Sequence, residues 1–109
     1  MNAPEYKEYI QLKVLQSLEM NKTQKTIAKE LAIALGKVNY IANALIEKGF
    51  IKVGNFYNAD DKKKYKYLLT DKGLEEKIIV TKKFIKIKKA EYEQMQEMLD
   101  KYEEIYRWK

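Results

Sequence analysis

The sequence predicts a mainly α-helical fold that contains one small β-hairpin and ends in a long helix. In the first half of the chain, apolar residues recur at the three- and four-residue spacing of amphipathic helices. Between residues 50 and 69 this spacing gives way to the alternation that is typical of strands. From Leu74 to Lys109 there is neither glycine nor proline. With 109 residues, 46% of them hydrophobic and 35% charged, the chain is long enough for one compact domain.

Three helices are predicted before the hairpin. The first runs from Glu5 to Met20, and the second follows Thr23, whose hydroxyl can accept hydrogen bonds from the free amides of a first turn. Residues 32–34 form a tight connection to a third helix from Leu35 to Lys48. Gly49 stands where a left-handed C-terminal residue is favoured.

Two segments alternate as strands do, Phe50–Phe56 and Tyr65–Leu69, and the polar residues 57–64 between them are typical of a hairpin tip. Thr70 is predicted to cap the last helix, which would extend roughly 50 Å at about 1.5 Å per residue. Parts of this helix also have strand-like patterns, so a break or bend near residues 80–90 remains an alternative.

This order of elements is that of a winged helix-turn-helix, in which the hairpin is the wing and the third helix is the recognition helix. We therefore expect a DNA-binding domain over residues 1–73 and a helical dimerisation segment over residues 74–109.

Composition excludes several classes of function. Cysteine and histidine are both absent, which removes disulfides, thiolate nucleophiles, imidazole bases and the usual zinc ligands. The sequence also contains neither a glycine-rich phosphate loop nor a pair of catalytic carboxylates. We therefore expect no enzyme activity, metal or cofactor. No apolar run reaches the roughly 18 residues of a membrane span, and the N-terminus lacks a signal sequence. We expect a cytoplasmic protein, located at the nucleoid, with no membrane partner.

The charge is concentrated in the middle of the chain. The net charge is +6, with +4 over residues 21–52, +4 over residues 73–89 and −3 over residues 90–109. A basic centre favours a polyanionic partner such as duplex DNA. Arg107 is the only arginine, so lysines would make the phosphate contacts as point charges.

The outward face of the third helix carries the residues that we expect to read bases. Asparagine can bond to adenine, lysine to guanine, and a glycine lets the DNA backbone approach closely. The predicted base-reading residues are Gly36, Lys37, Asn39, Tyr40 and Asn43. An ordinary solvated helix face is the alternative interpretation.

A second set of polar residues is predicted to bind phosphate: Thr23, Gln24, Lys25, Lys62, Lys63, Lys64 and Lys66. Alternatively, Thr23 only caps its helix and the wing lysines form a solubilising tip. The lysines between residues 82 and 89 are predicted to be the solvated flank of the last helix, with a second DNA-facing patch as the alternative.

The last helix has more apolar surface than a domain of this size can cover, so we expect it to form a homodimer. Five apolar residues recur every seventh position and two more occupy intervening heptad positions. The predicted interface residues are Ile78, Ile85, Tyr92, Met95, Leu99, Tyr102 and Tyr106. Thr81 and Lys88 interrupt the heptads, while Phe84, Ile87, Met98 and Ile105 widen the stripe, which favours a helical bundle.

The stretch TQKTIAKELAIALGKVNYIANALIEKGFIKVGNF, followed by YKYLLTDKG, resembles the MarR family of bacterial transcriptional regulators, in particular its small exopolysaccharide-associated subfamily. The resemblance covers residues 10–75 and implies a dimeric regulator, repressive by default, that reads a palindromic operator. Ala34 replaces the capping Ser or Thr common in that family, and the wing has Asp61-Lys62-Lys63 in place of Asp-x-Arg. The resemblance also implies a small phenolic effector, which is less expected here because the extra helices of the larger members are missing. A small effector pocket lined by Tyr9, Phe84 or Tyr92 remains an alternative.

The sequence thus predicts a sequence-specific, duplex DNA-binding transcriptional regulator, a homodimer. A nonspecific nucleoid-associated protein and a winged-helix module for protein or RNA contacts remain as alternatives.

Overall fold

The structure is a computed structural model that describes the backbone of residues 1–57 and 63–108 and the side chains of residues 1–54 and 66–108. Its elements in chain order are α1 (Ala3–Glu19), α2 (Gln24–Leu31), α3 (Leu35–Glu47), β1 (Ile51–Tyr57), β2 (Lys63–Leu69) and α4 (Asp71–Arg107). The predicted mainly helical fold, with a small two-stranded hairpin and a long C-terminal helix, is confirmed.

The helices begin at residues whose side chains satisfy free amides. At α1, Asn2 and Glu5 form a reciprocal capping box, with distances of 2.8 and 3.0 Å between each side-chain oxygen and the other residue's amide nitrogen. This box starts α1 two residues before the predicted Glu5. Thr23 and Thr70 cap α2 and α4 as predicted. Ala34, at the start of α3, provides no side-chain acceptor.

The first three helices end in the same way. Each is followed by a residue in the left-handed region, namely Asn21 at φ 60°, Ala32 at φ 55° and Gly49 at φ 76°. The amide after each of these residues donates to the carbonyl five residues earlier, at 3.0–3.2 Å. This is the Schellman motif, which turns the chain sharply and satisfies the last helical carbonyls.

A single apolar core joins α1, α2, α3 and the first residue of β1. Its buried side chains are Ile10, Val14, Leu15, Leu18, Ile27, Val38, Ile41, Ala42, Leu45 and Ile51. The long helix α4 adds Phe84, whose ring centroid lies 5.1 Å from that of Tyr9 in α1. The three-residue connection between α2 and α3 matches the predicted tight turn.

The antiparallel strands β1 and β2 pair Ile51 with Leu69 and Gly54 with Lys66. Directly after β2, the amide of Thr70 donates to the carbonyl of Phe50 at 3.0 Å, and its hydroxyl donates to the carbonyl of Gly49 at 2.6 Å. Gly73, in the first turn of α4, lies against the backbone of Phe50. A Cβ atom built on Gly73 would be 2.0 Å from the Phe50 carbonyl oxygen. The start of α4 is therefore fixed against the end of α3.

Helix α4 is continuous from Asp71 to Arg107, so the break considered near residues 80–90 does not occur. α1 packs antiparallel along this stretch and buries Phe84, whereas Ile78, Ile79 and Ile85 stay exposed. Over the described residues, no side chain beyond Phe84 is buried. No helix in the described ranges is both long and apolar enough to span a membrane.

Candidate nucleic-acid interface

Helix α3 separates a buried apolar face from an exposed polar face. Val38, Ile41 and Leu45 are at most 6% exposed and pack in the core. All five residues predicted to read bases lie on the opposite side and are exposed: Gly36, Lys37, Asn39, Tyr40 and Asn43. Tyr40 has 71% of its surface exposed. The helix therefore presents this set to solvent as the sequence predicted.

The N-terminus of α3 is open. Ala34 offers no side-chain acceptor, and a Cβ atom built on Gly36 would meet no atom within 4 Å. Unsatisfied amides at a helix N-terminus carry a partial positive charge, which favours an anion. Exposed Lys37 adds a full positive charge next to them.

A chain of side-chain hydrogen bonds joins α3 to α2 and to the hairpin. The amide group of Asn43 donates to Oδ1 of Asn39, whose own amide donates to Oε1 of Gln24, both at 3.2 Å. Gln24 in turn donates to the hydroxyl oxygen of Tyr67 at 3.2 Å. Of the two predicted base-reading asparagines, Asn39 is thus oriented by Gln24 of α2, and Asn43 is oriented by Asn39.

Gln24 therefore has a different position from the one expected of a phosphate contact. Its amide is part-buried between Asn39 and Tyr67, with both polar atoms engaged. Tyr67 was not among the predicted site residues, although its alternation with Lys66 along β2 is a signal that could have placed it on the side of the hairpin facing α2.

The hydroxyl of Thr23 is used within its own turn. It accepts from the amide of Thr26 at 3.1 Å and donates to the hydroxyl of Thr26 at 2.9 Å. The capping interpretation of Thr23 is therefore the one that the geometry realises, and a phosphate would compete with these bonds.

Two of the predicted phosphate-binding lysines, Lys25 and Lys66, have exposed side chains, as does Lys37 of the base-reading set. None of them forms a salt bridge with a carboxylate of the described residues. The predictions for Lys62 and for the side chains of Lys63 and Lys64 lie outside the described residues. The charges of Lys25, Lys37 and Lys66 are therefore not neutralised by the described part of the chain.

The lysines of α4 face a different environment. Lys83 pairs with Glu8 at 3.1 Å, Lys77 pairs with Glu19, and Lys88 lies 4.7 Å above the centre of the Tyr9 ring. The α-amino group of Met1, 2.5 Å from Glu91, donates a hydrogen bond that lowers the pKa of that carboxyl. The lysines between residues 82 and 89 are all exposed, as predicted for a solvated flank, and two of them, Lys83 and Lys88, lie along the seam between α1 and α4.

The seven residues predicted to form a dimer interface are all exposed in the single chain, from 48% for Ile78 and Leu99 to 79% for Tyr106. Tyr9 and Phe84, which were considered for an effector pocket, line a groove between α1 and α4, but Tyr92 does not reach it.

No family model matches the chain, and no curated protein is significantly similar to it. Within the described ranges, no cluster of carboxylates could hold a metal ion. The arrangement of α2, α3 and the hairpin, with its open helix end, oriented amides and exposed lysines, is suited to contacts with a polyanion that has hydrogen-bonding groups along a groove.

Proposed function

We propose that this protein is a homodimeric, sequence-specific DNA-binding transcriptional regulator of the winged helix-turn-helix class. In this proposal α3 lies in the major groove, α2 crosses the DNA backbone and the hairpin serves as the wing. The observation that carries the proposal is the exposed face of α3, which combines an open N-terminus, a lysine and two oriented amides on one side of a helix that is firmly packed on the other.

The chemistry of this face fits a groove of bases better than a bare phosphate surface. The major groove of B-DNA is about 12 Å wide and admits an α-helix, and its base edges offer paired donors and acceptors that asparagine can match. The side chain of Asn43 is exposed and its amide nitrogen donates to Asn39, so its Oδ1 atom is the acceptor that it would offer to a base. Lysines at 25, 37 and 66 supply the electrostatic attraction to the backbone.

Repression and self-association are part of the same proposal. Two recognition helices related by a two-fold axis would read a palindrome with half-sites one DNA turn apart, roughly 34 Å. The exposed apolar residues of α4 support a dimer, since they are left uncovered by the chain's own core.

The experiment starts with selection of duplexes from a random pool, followed by fluorescence anisotropy on the selected duplex and a scrambled duplex at two salt concentrations. We expect the selected duplex to bind at least about a thousandfold more tightly than the scrambled one. Lys37→Ala should weaken specific binding by about 5- to 150-fold, since a good base contact contributes about 1–3 kcal/mol. Lys101→Ala removes an exposed lysine from the far half of α4 and should leave binding unchanged.

Two results would contradict the proposal. Equal affinity for both duplexes with a steep salt dependence would indicate a nonspecific nucleoid-associated protein. Absence of DNA binding in a folded, self-associating protein would instead favour a module for protein or RNA contacts.

A further inference from the structure

The second half of α4 carries a wide apolar stripe that the described part of the chain leaves exposed. This C-terminal stripe consists of Tyr92, Met95, Met98, Leu99, Tyr102, Ile105 and Tyr106, each between 48% and 79% exposed. At about 100° per residue the stripe covers about 140° of the helix circumference. A strict two-helix seam needs a narrower band, so the stripe is wide enough to cover a groove between two helices.

Such a groove exists on the first half of the same helix. The α1–α4 groove is lined by Tyr9, Leu12 and Lys13 from α1 and by Thr81, Ile85 and Lys88 from α4. Ile85 precedes Tyr92 and Leu99 by one and two heptads, and Lys88 precedes Met95 and Tyr102 in the same way. The groove and the C-terminal stripe therefore lie along one continuous face of α4.

The two halves of α4 are opposite in charge. Residues 73–89 have a net charge of +4 and residues 90–109 have a net charge of −3. Lys13 and Lys88 border the groove, whereas Glu103 borders the stripe, about 20° from Tyr92 around the helix. A second copy thus offers the apolar stripe and the charge that the groove of the first copy lacks.

We infer that residues 92–106 of a second copy occupy the α1–α4 groove with the two α4 helices antiparallel, and that the exchange is reciprocal. The inference specifies the self-association of the proposed function and rests on that part of it. A two-fold axis near residue 93 would bring both grooves and both stripes together, as a closed symmetric dimer requires.

The interruptions of the heptad pattern favour the antiparallel direction. In a parallel pair Lys88 would face its own copy in the seam, and the two basic halves would lie side by side. In the antiparallel pair, heptad pairing places Lys88 beside Leu99 of the partner subunit and Thr81 beside Tyr106 of the partner subunit. Lys82 then flanks Glu103 of the partner subunit, which gives a pair of opposite charges.

The extra width of the stripe has a matching role. Met98 and Ile105 follow Phe84 by two and three heptads, so they lie on the same flank of α4 as Phe84, which packs against Tyr9 of α1. In the antiparallel pair this flank would face α1 of the partner subunit, where Leu12 is half-buried. Each end of the dimer then becomes a packed group of three helices.

The area available is sufficient for a stable dimer. At about 200 Å² for each large side chain, the stripe exposes on the order of 800 Å² in one copy. A standard interface buries about 800 Å² from each partner, and every copy would also contribute its groove. The two-fold pair therefore exceeds that minimum.

The chain has no cysteine, so single cysteines report on the pairing directly. Thr81→Cys and Tyr106→Cys are prepared separately in the full chain and oxidised alone and as a mixture. We expect a disulfide-linked dimer from the mixture only, because identical positions in the antiparallel pair lie about 35–40 Å apart at about 1.5 Å per residue. Linkage of Tyr106→Cys with itself would overturn the inference by indicating parallel helices.

A second pair of variants tests the face itself by analytical ultracentrifugation. Leu99→Asp should raise the dimer Kd at least a hundredfold, whereas Ile79→Asp, on an exposed position outside the groove and the stripe, should leave the Kd unchanged. Circular dichroism checks that both variants remain folded. A dimer that is insensitive to Leu99→Asp would overturn only the inference, whereas a wild-type chain that stays monomeric at high micromolar concentration would overturn the homodimer of the proposed function as well.

Discussion

The region from α1 to β2 and the second half of α4 are both well-formed secondary structure, but they differ in what stabilises them. The first region has a shared core in which Val14, Leu18, Ile27 and Val38 are completely buried. The second has an apolar side chain on nearly every turn and, in the described residues, buries none of them beyond Phe84. Isolated helices are marginal in water even at about 15 residues. The contrast shows that a segment can be a regular helix without having an apolar core of its own to stabilise it.

The largest effect is expected from shortening a buried isoleucine of the first region, with an exposed isoleucine in the first half of α4 as the reference. Ile27→Ala removes a side chain with 0% exposure from the core and should lower the free energy of unfolding by about 2–5 kcal/mol. Ile79→Ala, at a position 59% exposed on α4, should change it by no more than about 0.5 kcal/mol. Urea unfolding of both variants at one protein concentration measures the difference. Similar losses for the two variants would show that α4 is packed on a surface that the single chain does not reveal.

The joint between the regions can be tested with two glycines. Gly73→Ala would place a Cβ atom 2.0 Å from the Phe50 carbonyl oxygen, so α4 must shift, at a cost of about 1–3 kcal/mol. Gly36→Ala has open space around its Cβ atom and should stabilise the chain by about 0.5–1 kcal/mol through helix propensity. Thermal unfolding followed by circular dichroism gives both values.

A wild-type melting temperature for Gly73→Ala would show that α4 is not held against Phe50 as described. Gly36→Ala carries a second readout, because its methyl group should weaken DNA binding if the DNA backbone approaches the N-terminus of α3.

A smaller effect is expected at the turn between α2 and α3. Ala32 has a φ of 55°, a conformation that costs a residue with a Cβ atom about 1 kcal/mol relative to glycine. Ala32→Gly should therefore stabilise the chain by about 0.5–1 kcal/mol, whereas Ala90→Gly, in the middle of α4, should destabilise it by a similar amount. Both variants lose the same methyl group. Changes of opposite sign in the free energy of unfolding, measured with urea, would therefore come from the backbone conformation at each position. A loss of stability in both would contradict the left-handed assignment of Ala32.

Much of the fold follows from local signals in the sequence. Thr23 and Thr70 cap the helices that they were predicted to cap, and Gly49 ends α3 in the predicted left-handed conformation. The capping box of Asn2 and Glu5 was missed because it precedes the first apolar repeat. The continuity of α4 was not decided by its sequence, because the β-branched residues near position 80 favour strands locally while packing against α1 favours a helix.

The candidate site was predictable only in part. Periodicity alone assigned Lys37, Tyr40 and Asn43 to the exposed face of α3, and all three are exposed. The link from Asn39 through Gln24 to Tyr67 was not predictable, because it joins residues 15 and 43 positions apart whose proximity depends on how three elements pack. Charge counting likewise could not assign the lysines of α4 to the seam with α1.

The length of α4 acquires a further meaning in the proposed dimer. If the two α4 helices pair antiparallel, the distance between the two DNA-binding modules is set by the number of residues between the groove and the C-terminal stripe. Inserting one heptad between them would move the modules apart by about 10 Å at about 1.5 Å per residue, which is roughly three base pairs at about 3.4 Å each. The helix would then act as a ruler, and the spacing of an operator could be changed without altering any residue that touches a base.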